Sequence, residues 1–255
     1  MHRAILREYD YFFQFQNTPE DVTAVFTNRK LNLGFIGQPQ LQIHKNREFL
    51  LSQIGIKLDQ LVCPGQTHSD HVYVAGQKDK GRGRDSYEDA VDDTDALVTE
   101  KRGIALCVFV ADCLPVFIMD KKKNIIALAH CGWKSTQKLL LEKTLLTMFD
   151  RFKTKPQDVV MFLGPAIRKC CFQVGEEFLG YFQEGILRKE NKIFLDLIQA
   201  NCLQAERAGL SKENIFDSGI CTACENNKFF SFRKEGEAAG RQMARTEAIR
   251  SSRAV

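Results

Sequence analysis

Short apolar runs dominate the middle of the chain, and their period changes several times along its length. The first fifteen residues carry Tyr9, Tyr11, Phe12, Phe13 and Phe15, which predicts an ordered opening strand or sheet edge. A β-branched run at 22–27 predicts a strand, and Leu31-Asn32-Leu33-Gly34 then predicts a turn. Residues 45–54 place Phe49, Leu50 and Ile54 at helical spacing. Two short strands are expected at 58–63 and 71–75, separated by Pro64-Gly65 and a polar turn. From Asp95 onward four apolar runs follow in close succession, at 96–99, 104–110, 115–119 and 125–129. Two of them, 104–110 and 125–129, are nearly continuous, as expected of strands covered on both faces. The period then switches. Leu140, Leu141, Thr144, Leu145, Met148, Phe149 and Phe152 form one helical stripe within 137–152. A strand at 159–163 ends at Gly164-Pro165, helices are predicted at 175–182, 195–208 and 237–250, and a strand near 229–232. Strands and helices alternate unevenly and no fixed repeat is present. This predicts an α/β or α+β fold, a single domain over 1–255 with mixed sheets.

The stretch 77–95, QKDKGRGRDSYEDAVDDTD, is charged, glycine-rich and nearly free of large apolar residues, so it predicts a solvated surface loop. The whole composition, 44% hydrophobic and 27% charged, is that of a globular domain and excludes collagenous, coiled-coil and disordered classes. The 36 basic and 32 acidic residues leave a net charge of +4, too balanced to argue for nucleic acid or a membrane surface. No run reaches the roughly 18–20 apolar residues of a membrane span, and the opening residues lack the apolar core of a signal peptide. Nine cysteines, an odd number in a chain this long, predict free thiols in a reducing compartment. A cytoplasmic protein is expected.

Three residues carry the candidate chemistry. Cys113 follows a strand in Ala111-Asp112-Cys113, His130 follows the next strand pair, and His68 lies in the Gln66-Thr67-His68 turn. Strand ends are where α/β folds present reactive groups. Singly, each has an ordinary explanation: a buried small hydrophobe, a hydrogen-bonded turn histidine. Together, two imidazoles and one thiolate suit Zn²⁺ and leave a fourth position for water or substrate. They are 45 and 17 residues apart, a spacing that matches no local metal motif. The helix start after Gly132-Trp133 could also hold an anion such as phosphate.

At these residues the chain resembles a known family. DALVTEKRGIALCVFVADCLPVFIMD, IIALAHCGWKSTQKLLLEKTL and LGPAIRKCCFQVGEEF, with LNLGF, Asn46-Arg47 and QTH upstream, are similar in order to the laccase-domain (YfiH-like) family. The resemblance covers about residues 20–250. It implies a layered α/β sandwich, not a cupredoxin, and a purine nucleoside phosphorylase that also deaminates adenosine. It implies His68, Cys113 and His130 as catalytic and metal-ligating residues, one zinc per chain, and phosphate as co-substrate. The matched motifs also make Arg47, Asn32 and Gly164 candidate substrate contacts, Arg47 for an anion. Asp112 and Asp95 are the nearest candidate proton carriers, with turn anchoring as the alternative role for both. Small-molecule nucleosides are the implied partners, without nucleic acid or membrane, and the oligomeric state is left open.

The chain departs from the family pattern at Cys131, where Ala is usual, and at Lys134-Ser135, where Arg-Gly is common. IGQPQ replaces the usual His-x-Gly-Asp, and His71 is an extra imidazole near His68. Since neighbours on a strand face opposite ways, Cys131 should point away from any metal at His130. Five histidines cannot supply both a blue-copper site and a multicopper cluster, so a multicopper oxidase is not expected. Cys221-Thr222-Ala223-Cys224 has zinc-ribbon spacing but lacks a second such pair, so these thiols read as buried or surface groups. Two rival functions stay open: a metal-free Cys–His hydrolase, and a non-catalytic partner of envelope or division proteins.

Overall fold

The apolar runs after Asp95 fold as the central strands of two stacked sheets. The computed structural model describes residues 1–249. One sheet has seven strands, in the order His2–Arg3, Ile215–Asp217, Val159–Leu163, Leu114–Asp120, Ile126–Cys131, Ala96–Thr99 and Val72–Val74. Its pairings are mixed: Leu114–Asp120 is antiparallel to both neighbours, whereas Val159–Leu163 runs parallel to Ile215–Asp217. The second sheet orders Leu6–Glu8, Phe12–Phe15, Val22–Thr27, Gln242–Ala248, Ala105–Val110 and Leu61–Val62, antiparallel except for the last pair. A small three-stranded sheet of Gln173–Val174, Lys192–Leu195 and Ile186–Lys189 stands apart from both.

Alternation along each strand assigns its faces. Phe15, Phe26, Leu106 and Val108 from the six-stranded sheet meet Phe117, Met119, Ile126, Leu128 and Phe162 from the seven-stranded one in a fully buried interior. The opposite face of the seven-stranded sheet (Val116, Ile118, Ala129, Cys131, Met161) is covered by helices Leu140–Phe152 and Leu197–Arg207. Helix Gln40–Gln53 covers the outer face of the other sheet through Leu50 and Leu51. The result is a four-layer mixed α/β sandwich in one domain.

Four expectations are corrected. The segment expected as helix 237–250 is strand Gln242–Ala248, preceded by a 3₁₀ turn at Gly236–Ala238; Arg250 lies outside the described residues. Its Ala, Met, Arg and Glu favour helix intrinsically. Yet the segment lies between Val22–Thr27 and Ala105–Val110, with all seven residues buried, so sheet pairing overrides propensity. No strand forms at 229–232; instead Phe232–Glu235 is a short helical turn. The helix expected over 137–152 begins at Leu140 and carries the whole stripe to Phe152; a separate short helix, Trp133–Gln137, precedes it, and Leu139 in the left-handed region at φ 64° divides the two. The helix expected over 175–182 contracts to Phe178–Tyr181. The stretch 77–95 is irregular apart from a 3₁₀ turn at Gln77–Asp79, but Asp79, Ala90, Val91, Thr94 and Asp95 within it are buried.

Candidate functional site

The chain changes sheets at Ala111-Asp112-Cys113, between Ala105–Val110 and Leu114–Asp120. Asp112 takes φ 83°, a region costly for a residue with a Cβ. Hydrogen bonds hold it there: Thr222 Oγ1 donates at 2.6 Å, Ser231 Oγ at 2.9 Å and the Arg233 amide at 2.7 Å, all to its carboxylate. Asp112 therefore fixes the crossing that presents Cys113, the turn-anchoring role rather than that of a free proton carrier.

His130 sits opposite Pro115 on the neighbouring strand and shares the inter-sheet face with Ile126 and Leu128. His68 is held at φ 59° in the turn after Leu61–Val62. Gln66 anchors that turn by exchanging two hydrogen bonds with the Phe109 backbone, donating from Nε2 at 2.9 Å and accepting at Oε1 at 2.8 Å. These elements bring three donors together. His68 Nε2 lies 3.7 Å from Cys113 Sγ, the two imidazole centroids are 4.8 Å apart, and one donor atom from each residue falls within a 4.8 Å group. Gly132 closes the cradle. A Cβ there would lie 2.8 Å from His68 Cδ2 and 3.0 Å from Cys113 Sγ, so the site has room for the donors only because that position lacks a side chain.

Asp95 stands behind His130. Its Oδ1 is 2.7 Å from His130 Nδ1, while Oδ2 accepts from the Ser69 amide at 2.6 Å, Ser69 Oγ at 2.9 Å and the Thr67 amide at 3.2 Å. With Nδ1–H donated to this carboxylate, Nε2 of His130 is left to face the cluster. Burial would raise the carboxyl's pKa, but the His130 and Ser69 hydrogen bonds hold it below the usual carboxylate range. Burial likewise disfavours a thiolate at Cys113, yet His130 and His68 bring its pKa down to about 6. His130, against its own burial, is raised to about 10 by the Cys113 thiolate and Asp95. Cys131 points the other way, into the helix-covered core with Ala127 and Ala129, as strand alternation requires. His71 turns to Asp93 at 2.9 Å and takes no part in the cluster.

The trio lies in the wall of a cavity of about 840 Å³, within the size range of small-molecule sites. Phe35, Phe109, Trp133 and Phe172 supply aromatic surface, and Arg233 and Arg241 supply positive charge. Neither arginine was singled out by the sequence: Arg241 lay in the segment expected as a helix and Arg233 beside the expected strand. Their only sequence signal is their place among glycines and phenylalanines after Cys224.

The other candidate contacts fall elsewhere. Arg47 is fully buried between the rings of Phe35 and Phe109, each 4.3 Å from its guanidinium. It donates from Nε and Nη1 to the carbonyls of Leu33, Gly83 and Arg84 at 2.8–2.9 Å, which pins helix Gln40–Gln53 to two loops, and its Nη2 is buried without a hydrogen-bond partner. Asn32 organises the neighbouring loop, accepting from the Gly34 and Arg241 amides and donating to the Ile36 carbonyl. Gly164 packs against Pro115, where a Cβ would approach the proline ring to 2.7 Å, and it does not line the cavity. The expected anion-binding helix start at Gly132-Trp133 opens a helix of five residues, too short to gather the dipole of a longer helix.

A four-layer sandwich with a His-Cys-His cluster at its sheet crossing defines the class. The chain belongs to the family described as multi-copper polyphenol oxidoreductase laccase, whose pattern matches residues 21–247. It is 32% identical over 216 residues to a protein of Bacteroides thetaiotaomicron named purine nucleoside phosphorylase, covering 81% of this chain and 80% of that one. It is 33% identical to adenosine deaminase RL5 of an unknown prokaryotic organism, covering 81% and 82%. The crystal structure of YlmD from Geobacillus stearothermophilus superposes with a TM-score of 0.93 at 25% identity, covering 97% of this chain and all of that one.

Proposed function

We propose that the chain is a zinc-dependent purine nucleoside phosphorylase with adenosine deaminase activity, acting on free nucleosides in the cytoplasm. The observation that carries this is the convergence of His68, Cys113 and His130 on the wall of an aromatic, arginine-lined cavity. The donor set fits one zinc ion per chain, since two imidazoles and a thiolate are zinc ligands and Gly132 leaves the space between them clear. When bound there, zinc would supply the Lewis acidity needed for attack on C6 of adenine. Copper clusters are disfavoured, because His44 pairs with Asp85, His71 with Asp93, and His2 lies against Phe216.

The protein's own groups then have distinct tasks. Asp95 holds His130 in one tautomer and one orientation, and Asp112 holds the turn that carries Cys113. In phosphorolysis, phosphate forms a bond to ribose C1′ while the bond from C1′ to the purine breaks and the base leaves with the electron pair. Arg241 and Arg233 are the cations placed to orient that phosphate, a task that favours guanidinium. Phe35, Phe109 and Trp133 offer faces on which a purine stacks and exclude water from it. Incubation of the purified protein with adenosine, inosine and guanosine, with and without phosphate, tests the proposal by chromatography. Free base and ribose 1-phosphate are expected with phosphate, and inosine from adenosine without it. Absence of turnover on all three nucleosides would favour the non-catalytic partner.

One observation favours the second reading, a metal-free Cys–His hydrolase: the donor atoms of Cys113 and His130 lie within one 4.8 Å group, where His130 favours the Cys113 thiolate. It predicts activity that survives a chelator and a covalent adduct trapped on Cys113. The zinc reading predicts neither.

A further inference from the structure

Four cysteines outside the cavity converge as well. Cys170 and Cys171 lie in the turn after Arg168, and Cys221 and Cys224 in the turn that follows the Ala166–Cys221 bridge. Consecutive residues on an extended chain face opposite ways, but the turn at 169–171, closed by the Cys171 and Phe172 amides on the Arg168 carbonyl, brings both thiols to one side. The adjacent pair thereby supplies the second half that Cys221-x-x-Cys224 lacks. Sγ of Cys224 is 3.6 Å from that of Cys170 and 3.3 Å from that of Cys171, and all four sulfurs lie within 4.8 Å of one another.

We propose that Cys170, Cys171, Cys221 and Cys224 form a second metal site, a tetrathiolate for a single Zn²⁺ ion. Zinc–sulfur bonds of about 2.3 Å in a tetrahedron set the sulfurs about 3.8 Å apart, the separation this cluster approaches. All four cysteines are free thiols. Their spacing admits one ion and leaves no room for the bridging sulfides of an iron–sulfur cluster. The Arg233 guanidinium, bonded to the Cys171 carbonyl at 3.1 Å, adds positive charge beside a centre whose net charge would be negative.

The site's role follows from what it joins. It ties the 166–172 segment to the 221–225 turn, and these carry Ile167 and Phe172 of the cavity wall. Thr222, between the two turn cysteines, is the residue that donates to Asp112 beside Cys113. The ion would staple the wall and brace the sheet crossing from outside.

The proposal is independent of the reaction assigned to the cavity and is tested by metal content. Full-length protein purified under reductant and loaded with Zn²⁺ should hold one zinc equivalent that survives Cys113→Ala and is lost in the double variant Cys170→Ser/Cys224→Ser. Both substituted thiols are exposed, so the variant should fold. A second measurement needs no variant at this site: Co²⁺ added to the Cys113→Ala protein should give sulfur-to-cobalt charge-transfer absorption of a four-thiolate site. Loss of all bound zinc in Cys113→Ala would overturn the proposal. So would an undiminished zinc content in the double variant, or a mass lighter by two hydrogens showing a disulfide among these residues.

Discussion

At the scale of single residues, the site depends on groups that never meet substrate. Asp95 is fully buried, and it orients His130 through the 2.7 Å contact to Nδ1. Asp95→Asn keeps the shape but removes the charge, and carboxylates behind metal-bound histidines typically contribute about 10–100-fold in metal affinity. A zinc titration of this variant should show a loss of that order with an unchanged circular dichroism spectrum. Cys131 is the contrasting case. It is one residue from His130 but faces the core, so Cys131→Ala should leave zinc content and turnover nearly unchanged and cost about 1 kcal/mol of stability. Zinc loss as severe as in Cys113→Ala would contradict the assigned faces. In chelator-treated protein the pKa of Cys113, about 6, carries a pH signature. Below that pH the thiol is protonated and unreactive, and above it the thiolate is the nucleophile. Alkylation of Cys113, followed by peptide mass analysis, should therefore rise through pH 6; a rise near pH 9 would mean that His130 and His68 do not stabilise the thiolate.

At the scale of elements, the sequence was most legible where burial is complete. The runs 22–27, 96–99 and 159–163 form strands with those bounds, because apolar and β-branched residues in a run of that length fit a covered strand. Legibility failed where position in the sheet outweighs local preference. Gln242–Ala248 carries buried Gln242, Arg245, Thr246 and Glu247, a polar pattern that resembles a surface helix until its two strand partners are known. Arg241 of the cavity was hidden by that misassignment. The candidate trio was located by motifs of a recognised family, since separations of 45 and 17 residues have no local meaning; the fold explains them as two turns and one strand end brought to one sheet crossing. Arg47 shows what a motif does not reveal: the match suggested a ligand contact, and the fold gives the same side chain three carbonyl acceptors that make it a clamp on helix Gln40–Gln53. Lysine cannot span all three, and each buried carbonyl left unpaired costs about 1–3 kcal/mol. Arg47→Lys should thus lower the melting temperature by about 5–10 °C in a chain of this size, without altering the phosphate dependence of the rate. A changed phosphate dependence at an unchanged melting temperature would restore the ligand role.

At the scale of the whole molecule, two sheets stacked face to face leave their reactive groups where the chain passes from one to the other. Ala105–Val110 and Leu114–Asp120 belong to different sheets, and the three residues between them hold Cys113 at the cavity wall. The four-layer frame fixes that crossing from both sides, which explains how strained residues such as Asp112 and His68 persist there. The central claim is that one metal-holding trio serves both nucleoside reactions. Its most direct test compares Cys113→Ala with the parent protein, measuring bound zinc, phosphorolysis of inosine and deamination of adenosine on the same preparations. Cys113→Ala should lose one zinc equivalent per chain, with both activities falling together by at least about a hundredfold. Retention of that zinc equivalent, or full phosphorolysis after its loss, would contradict it.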